Sequence, residues 1–95
     1  MPAMKKLVAP TAVEVIGEHK LRVTFKDGLV GDIDFTGRHW RGVSEPLADP
    51  AFFAKAFFDP EGRTVAWPNG FDMAPETLYE RALEHQVRGP AHIAA

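Results

Sequence analysis

Three polar residues lie close together in the second half of the chain and could form a small polar pocket. Asn69, Asp72 and Glu76 follow a strand-like segment that ends at Trp67. Two carboxylates beside an amide could bind a small ligand, or transfer a proton if burial raised a carboxyl pKa. The alternative is structural: Asn69 adopts a left-handed turn, Asp72 accepts backbone N–H bonds, and Glu76 stabilises a helix N-terminus. We favour the structural interpretation.

A second candidate is the cationic and aromatic segment formed by residues 38–41. Trp40 lies between Arg38 and Arg41, and an aromatic ring among basic residues can stack on a base or contact an acidic partner. No second basic cluster extends this footprint, which argues against a nucleic-acid surface. We therefore expect a connecting loop in which Trp40 packs into the core and the arginines stay outside.

Other reactive groups show no recognisable pattern. The chain has no cysteine, and its four histidines lack the spacing of metal ligands. Asp32 and Asp34 share one face of a predicted strand, but basic neighbours across the sheet would keep both ionised. No nucleophile elbow, phosphate loop or Ser/His/Asp arrangement is present. We expect no catalytic residue, no cofactor and no metal.

Length and charge restrict the classes of protein further. The 95 residues suit one domain, with residues 1–10 as a loose arm and residues 89–95 as a frayed tail. The net charge of -2 argues against direct nucleic-acid binding. No apolar run approaches the ~18 residues that span a bilayer, and the first residues do not resemble a signal peptide. We expect a cytoplasmic protein.

The elements that position these residues begin with three predicted strands. Apolar and polar residues alternate through residues 12–15, 21–26 and 29–35. A three-residue loop over residues 26–28 pairs Phe25 with Leu29 and Leu21 with Ile33, with Gly28 in the left-handed conformation. A two-residue loop would instead pair Phe25 with Val30 and mix the two faces. We predict the three-residue loop.

This register places charged residues in rows on the outer face of the sheet. Arg22 lies between Glu14 and Asp32, and Lys20 lies opposite Asp34, if residues 17–19 form a matching loop that pairs Val15 with Leu21. Each opposite-charge pair across strands contributes about 0.2–1 kcal/mol. We interpret the rows as a solvated face that fixes the register, in preference to a binding site.

The second half predicts a short helix, a hairpin and a longer helix. Asp49 and Pro50 have the chemistry of a helix start. Residues 59–62 suit a type I turn between strands at residues 56–58 and 63–67. The last helix is predicted from Pro75 to about residue 88, with Glu84 and Arg88 as an i, i+4 pair and Gly89 beyond its end. Its inward residues are Leu78, Ala82 and Leu83.

These elements predict an α+β fold. It consists of an antiparallel β-meander followed by a short helix, a β-hairpin and a C-terminal helix packed on one sheet face.

Four segments carry a resemblance to a known family. They are residues 23–28, 31–35 and 47–53, and above all residues 67–79 with the pattern WPNG-x-D-x-x-PE-x-LY. Together they resemble the small bacterial family called Domain of Unknown Function 2442. Two departures stand out: Ala74 replaces a polar capping residue, which weakens the helix start by about 0.5–2 kcal/mol, and Thr36 lies near a position where members usually have serine.

The resemblance implies a compact α+β domain without an established activity. Genes of this family often neighbour a second small protein, an arrangement similar to a toxin–antitoxin pair. Some longer relatives append a helix-turn-helix domain, which this sequence lacks, so any DNA contact would require another polypeptide. The resemblance assigns no catalytic residue.

We therefore predict a non-catalytic protein-interaction module, the antitoxin-like member of a two-protein system, with a homodimer as a variant. The predicted contact surface is an exposed sheet edge or the loop of residues 38–41. Two alternatives stay open: a small-ligand binder or enzyme that uses the polar residues near Asn69, and a DNA-associated regulator acting through a partner. The candidate residues are Arg38, Trp40, Arg41, Trp67, Asn69, Asp72 and Glu76.

Overall fold

A computed structural model describes residues 8–89 of the chain. Its elements are β1 (Pro10–Gly17), β2 (Lys20–Phe25), β3 (Val30–Asp34), a 3₁₀ helix (Gly42–Ala48), α1 (Pro50–Phe53), β4 (Phe57–Asp59), β5 (Thr64–Ala66), α2 (Pro75–Glu84) and β6 (Gln86–Arg88). One antiparallel sheet has the strand order β1-β2-β3-β6, and β4 and β5 form a two-stranded sheet. The predicted α+β class is confirmed.

The predicted register of the meander is confirmed. Leu21 pairs with Ile33, and the amide of Phe25 donates to the carbonyl of Leu29 at 2.8 Å. Gly28 has a φ of 93°, the left-handed conformation that the three-residue loop requires. Val15 pairs with Leu21, although the connection from β1 to β2 contains a bulge before Gly17. Side-chain parity therefore determines the register even where the turn is irregular.

The inner face of the sheet carries the core. Leu21, Val23 and Phe25 from β2, and Ile33 from β3, are buried. They pack with apolar side chains of the later elements, which are Phe35, Leu47, Phe53, Val65, Trp67, Met73, Leu78 and Ala82. Burial of each large side chain contributes about 1.5–3 kcal/mol. The helices therefore cover one face of the sheet, as predicted.

The predicted short helix and hairpin are present with small changes. The Asp49 carboxylate accepts the amide of Ala51 and caps α1. The four-residue loop between β4 and β5 is shifted by one residue from its predicted position, because Asp59 pairs with Thr64 and belongs to β4. The Asp59 carbonyl accepts the amide of Arg63 at 2.7 Å. Arg63 has a φ of 55°. Before α1, the 3₁₀ helix occupies a stretch that the sequence had not marked as helical.

The predicted end of the last helix is wrong. α2 stops at Glu84, and Gln86–Arg88 forms β6 on the free side of β3. Glu84 and Arg88 therefore do not share a helix, and Leu83 is exposed instead of facing inward. The amide of Asp32 donates to the carbonyl of His85 at 3.0 Å. Strand pairing prevails over helix continuation because it gives backbone groups of β3 hydrogen-bond partners.

Gly31 allows α2 to lie against β3. A Cβ atom on residue 31 would lie 2.4 Å from the carbonyl oxygen of Ala82, closer than real Cβ atoms approach. The helix therefore contacts the strand backbone directly at this point.

The predicted N-terminal arm and C-terminal tail fall mostly outside the described residues. Among residues 8–89, β1 already begins at Pro10, and Pro10 is buried. None of the helices in residues 8–89 is long and apolar enough to cross a membrane.

Candidate functional site

One tight turn organises the most distinctive segment of the chain. In the WPNG turn (residues 67–71), the amide of Trp67 donates to the carbonyl of Phe71 at 2.9 Å, and the amide of Gly70 donates to the carbonyl of Trp67 at 3.0 Å. Gly70 has a φ of 91° and takes the left-handed position. Asn69 does not, so its predicted left-handed conformation is wrong; the glycine adopts it at lower cost.

Both ends of the Asn69 side chain are used. Its Oδ1 accepts the amide of Phe71 at 3.2 Å, and its Nδ2 donates to the carbonyl of Val43 at 2.7 Å. The turn is therefore tied to the start of the 3₁₀ helix. Trp67 is buried beneath it, and its indole N–H donates to the carbonyl of Phe53 at 2.9 Å. These contacts give Asn69 and Trp67 structural roles.

The predicted polar pocket does not assemble. Asp72 and Glu76 are exposed, and Asn69 is turned toward Val43. Within residues 8–89, the Asp72 carboxylate receives no hydrogen bond, so its predicted role as an acceptor of backbone N–H bonds is wrong. Asp72 contributes through its backbone, which forms a β-bridge with Ala66 of β5. Glu76 lies in the first turn of α2, where a negative charge is favourable.

The loop of residues 38–41 presents a stacked guanidinium. The Arg38 guanidinium lies 4.9 Å from the centroid of the Trp40 ring and 5.8 Å from that of Phe35. Trp40 is half-buried, whereas Arg38 and Arg41 are exposed. The expected arrangement, with the ring inside and the charges outside, is therefore present in part.

The aromatic core joins this loop to the WPNG turn. The ring of Phe53 lies 6.2 Å from Trp40 and 5.6 Å from Trp67, measured between centroids. His19 packs against Phe53 at 5.0 Å, and its Nε2 lies 2.9 Å from the carbonyl oxygen of Leu47. Five of the candidate residues thus belong to one region of the molecule: Arg38, Trp40, Arg41, Trp67 and Asn69.

Sequence reasoning missed the contact between Tyr79 and Asp27. The Tyr79 hydroxyl donates to Oδ2 of Asp27, and this hydrogen bond raises the pKa of Tyr79 to about 12. The Tyr79 ring also packs edge-on against Phe25, with centroids 5.0 Å apart. The sequence did contain an indication of this contact. Tyr79 follows the inward-facing Leu78 on a predicted helix, and a half-buried tyrosine hydroxyl needs a hydrogen-bond partner.

The charged rows on the outer sheet face are present as predicted. Arg22 donates to both carboxylate oxygens of Asp32, at 2.8 and 3.1 Å, and Glu14 pairs with Arg22 from the other side. The hydrogen bond from Arg22 lowers the pKa of Asp32. A hydrogen bond with Thr36 lowers the pKa of Asp34. Both carboxylates therefore stay ionised. An ionised carboxylate can pair with the basic residues that fix the strand register, but it cannot donate a proton.

The strand β6 adds a surface that the sequence did not reveal. Its three residues are exposed, Val87 to 54%, and Leu83 at the end of α2 is 39% exposed. β6 is the last strand of the four-stranded sheet, so one of its backbone edges is unpaired among the described residues. Exposed apolar side chains beside an unpaired strand edge are typical of a contact surface.

No metal centre is formed by the part of the chain that the structure describes, since residues 8–89 contain no group of three or more metal-ligating side chains.

Comparison with known proteins identifies one family. Residues 10–84 match the family described as Protein of unknown function (DUF2442). Neither the curated proteins nor the solved structures contain a significant match.

Proposed function

We propose that this chain, which belongs to the DUF2442 family of proteins of unknown function, is a non-catalytic protein-interaction module. The observation that carries the proposal is the edge strand β6, with Val87 54% exposed and Leu83 beside it. An extended segment of a partner adds to this edge and extends the sheet by main-chain hydrogen bonds.

The chemistry of the edge specifies the partner segment. Val87 offers an apolar side chain, and Arg88 offers a positive charge next to it. A complementary strand carries an apolar residue opposite Val87 and an acidic residue near Arg88. Main-chain bonds supply affinity, and these two side chains supply specificity.

The scattered carboxylates support a non-catalytic role. Asp72 and Glu76 are exposed and do not converge with Asn69, and hydrogen bonds lower the pKa values of Asp32 and Asp34. A general acid needs a raised pKa, and a ligand pocket needs convergent groups. The interaction role is therefore better supported than the enzyme or small-ligand alternative. The alternative of a DNA-associated regulator acting through a partner stays a prediction.

The finer proposal is that the chain is the antitoxin-like member of a two-protein system in the cytoplasm. Its partner is the small protein encoded by a neighbouring gene, which delivers the complementary strand to β6. A second copy of this chain is the competing occupant.

The test co-expresses the chain with the neighbouring gene product and measures the complex by size-exclusion chromatography with light scattering. We expect a 1:1 heterodimer, and we expect Val87→Lys to weaken binding by at least about tenfold, because it places a charge in the apolar contact. Val43→Lys is the matched control, since Val43 is an exposed valine, at 59%, on the 3₁₀ helix. It leaves the heterodimer intact.

The outcomes separate the parts of this proposal. Absence of any complex overturns the interaction role, and a homodimer that Val87→Lys disrupts replaces the partner with a second copy. Loss of binding in Val43→Lys, with Val87→Lys unaffected, moves the contact from β6 to the surface of the 3₁₀ helix that holds Val43. In cells, the neighbouring protein alone should arrest growth and this chain should restore it; unaffected growth removes the antitoxin role.

A further inference from the structure

A groove lies between the end of β3 and the C-terminal half of α2. Its volume is about 310 Å³, and its lining includes the buried ring of Phe35. The loop after β3 contributes Arg38, and α2 contributes Arg81. The groove lies apart from the β6 edge, and of the candidate residues named from the sequence only Arg38 lines it.

Arg38 is held in place by aromatic rings and not by an ion pair. Its guanidinium stacks on Trp40 at 4.9 Å, and among the described residues no carboxylate lies within ion-pair distance of it. The Arg38 guanidinium donates no hydrogen bond to any of the described residues, so its N–H groups are free to bind a ligand. The Arg38 guanidinium is therefore preorganised for an oxygen ligand, which reduces the conformational entropy that the side chain loses on binding.

Arg81 adds a second cation from a different element. It is exposed in the last turn of α2, and it forms no ion pair with any residue in the described range. The one acidic residue that lines the groove is Asp34, whose carboxylate accepts the amide of Thr36 at 2.8 Å and lies 4.0 Å from the ammonium of Lys20. Two arginines without an ion-pair partner therefore line the groove together with one carboxylate that already has partners.

We propose that this groove binds an oxyanion, the phosphate or carboxylate group of a small molecule, between the guanidinium groups of Arg38 and Arg81. Arginine side chains bind both kinds of group by paired, charge-assisted hydrogen bonds. Gly37, with a φ of 82° and no atom near a would-be Cβ, leaves the mouth of the groove open to the ligand. The proposal is independent of strand addition at β6.

The experiment titrates the isotope-labelled chain with inorganic phosphate and, separately, with succinate at constant ionic strength, and follows backbone amide shifts by NMR. We expect saturable shifts at Gly37 and Arg38. Arg38→Gln and Arg81→Gln should each raise Kd by at least about fivefold, because each removes charge-assisted hydrogen bonds. Binding of phosphate alone assigns the ligand to phosphate compounds, and binding of succinate alone assigns it to carboxylates.

Arg41→Gln is the matched control, because Arg41 is exposed in the same loop but does not line the groove. It should change Kd by less than about twofold, as expected for a distant surface charge. Shifts that grow linearly without saturation overturn the site, and so does a loss in Arg41→Gln equal to that in Arg38→Gln. A denaturant melt of each variant confirms that the fold is intact before its Kd is compared.

Discussion

Two turns in this molecule have the same backbone geometry and different attachments. In the KDG turn (residues 25–29) and in the WPNG turn, the first amide donates to the fifth carbonyl, and a glycine at the fourth position adopts φ near 90°. In both, the third side chain accepts the amide of the fifth residue: Asp27 accepts from Leu29, and Asn69 accepts from Phe71.

The difference lies in the second atom of the third side chain. Oδ2 of Asp27 accepts a hydrogen bond from the Tyr79 hydroxyl, whereas Nδ2 of Asn69 donates one to the carbonyl of Val43. A carboxylate, which only accepts, suits the tyrosine hydroxyl as a donor, and an amide nitrogen, which donates, is needed where the neighbour is a carbonyl. The turn itself tolerates either residue, so the choice between Asp and Asn reports which distant element each turn holds.

The strongest test of this comparison removes the close approach that brings α2 to the KDG turn. Gly31→Ala places a methyl group against Ala82 and should lower the free energy of unfolding by about 1–3 kcal/mol through overpacking. Denaturant melts measure the effect. Gly17→Ala is the control, since its Cβ meets only ordinary contacts, and it should stay within about 0.5 kcal/mol of the parent. A parent-like melt for Gly31→Ala would mean that α2 does not depend on this contact.

The second test removes the bond between α2 and the KDG turn. Tyr79→Phe should lower the free energy of unfolding by about 1–2 kcal/mol, the loss of a half-buried hydrogen bond to a carboxylate. The pKa of Tyr79 is raised above its ordinary value of 10.0 to about 12, so the stabilisation is complete below pH 10 and is lost as pH rises through about 12.

The pH dependence has a direct measurement. Tyr79 is the single tyrosine of the chain, so the absorbance of tyrosinate reports its titration without interference. A midpoint near the ordinary value would contradict the hydrogen bond to Asp27. In melts, the parent should lose more stability than Tyr79→Phe between pH 10 and about 12.

The third test exchanges the two side chains. Asn69→Asp places a carboxylate oxygen against the carbonyl of Val43 and should lower the free energy of unfolding by about 1 kcal/mol, limited by solvent exposure. Asp27→Asn should cost less, because its amide can still donate to the tyrosine oxygen, and it should lower the pKa of Tyr79. Equal losses in the two variants would show that the attachments do not decide the choice of residue.

The local geometry of the KDG turn could be predicted from the sequence, but the long-range hydrogen bonds of the two turns could not. The alternation of side chains and the position of Gly28 are enough to predict the register of the meander. The bond between Asp27 and Tyr79 spans 52 residues, and no local pattern specifies such a contact. The attachment of Asn69 to Val43 is hidden for the same reason.

The two incorrect predictions near the C-terminal helix also have physical causes. By local chemistry alone, a helix could continue through Glu84 and Arg88 and end at Gly89. The unpaired backbone N–H and C=O groups of β3 instead pair with residues 86–88, which become a strand of the sheet. Asp72 was expected to cap local N–H groups. In the described structure the backbone beside it is already paired with β5, and the carboxylate points to solvent.

The stacking of Arg38 on Trp40 gives the molecule an optical property. The chain contains two tryptophans, of which Trp67 is 1% exposed and Trp40 is half-buried beneath a guanidinium charge. A charge above an indole ring shifts the energy of its excited state, so the emission of Trp40 responds when that charge is neutralised or displaced. Trp67 is buried in the core, so its emission should lie at shorter wavelength and should stay unchanged. The protein therefore carries its own fluorescent reporter and its own internal reference, with no label attached.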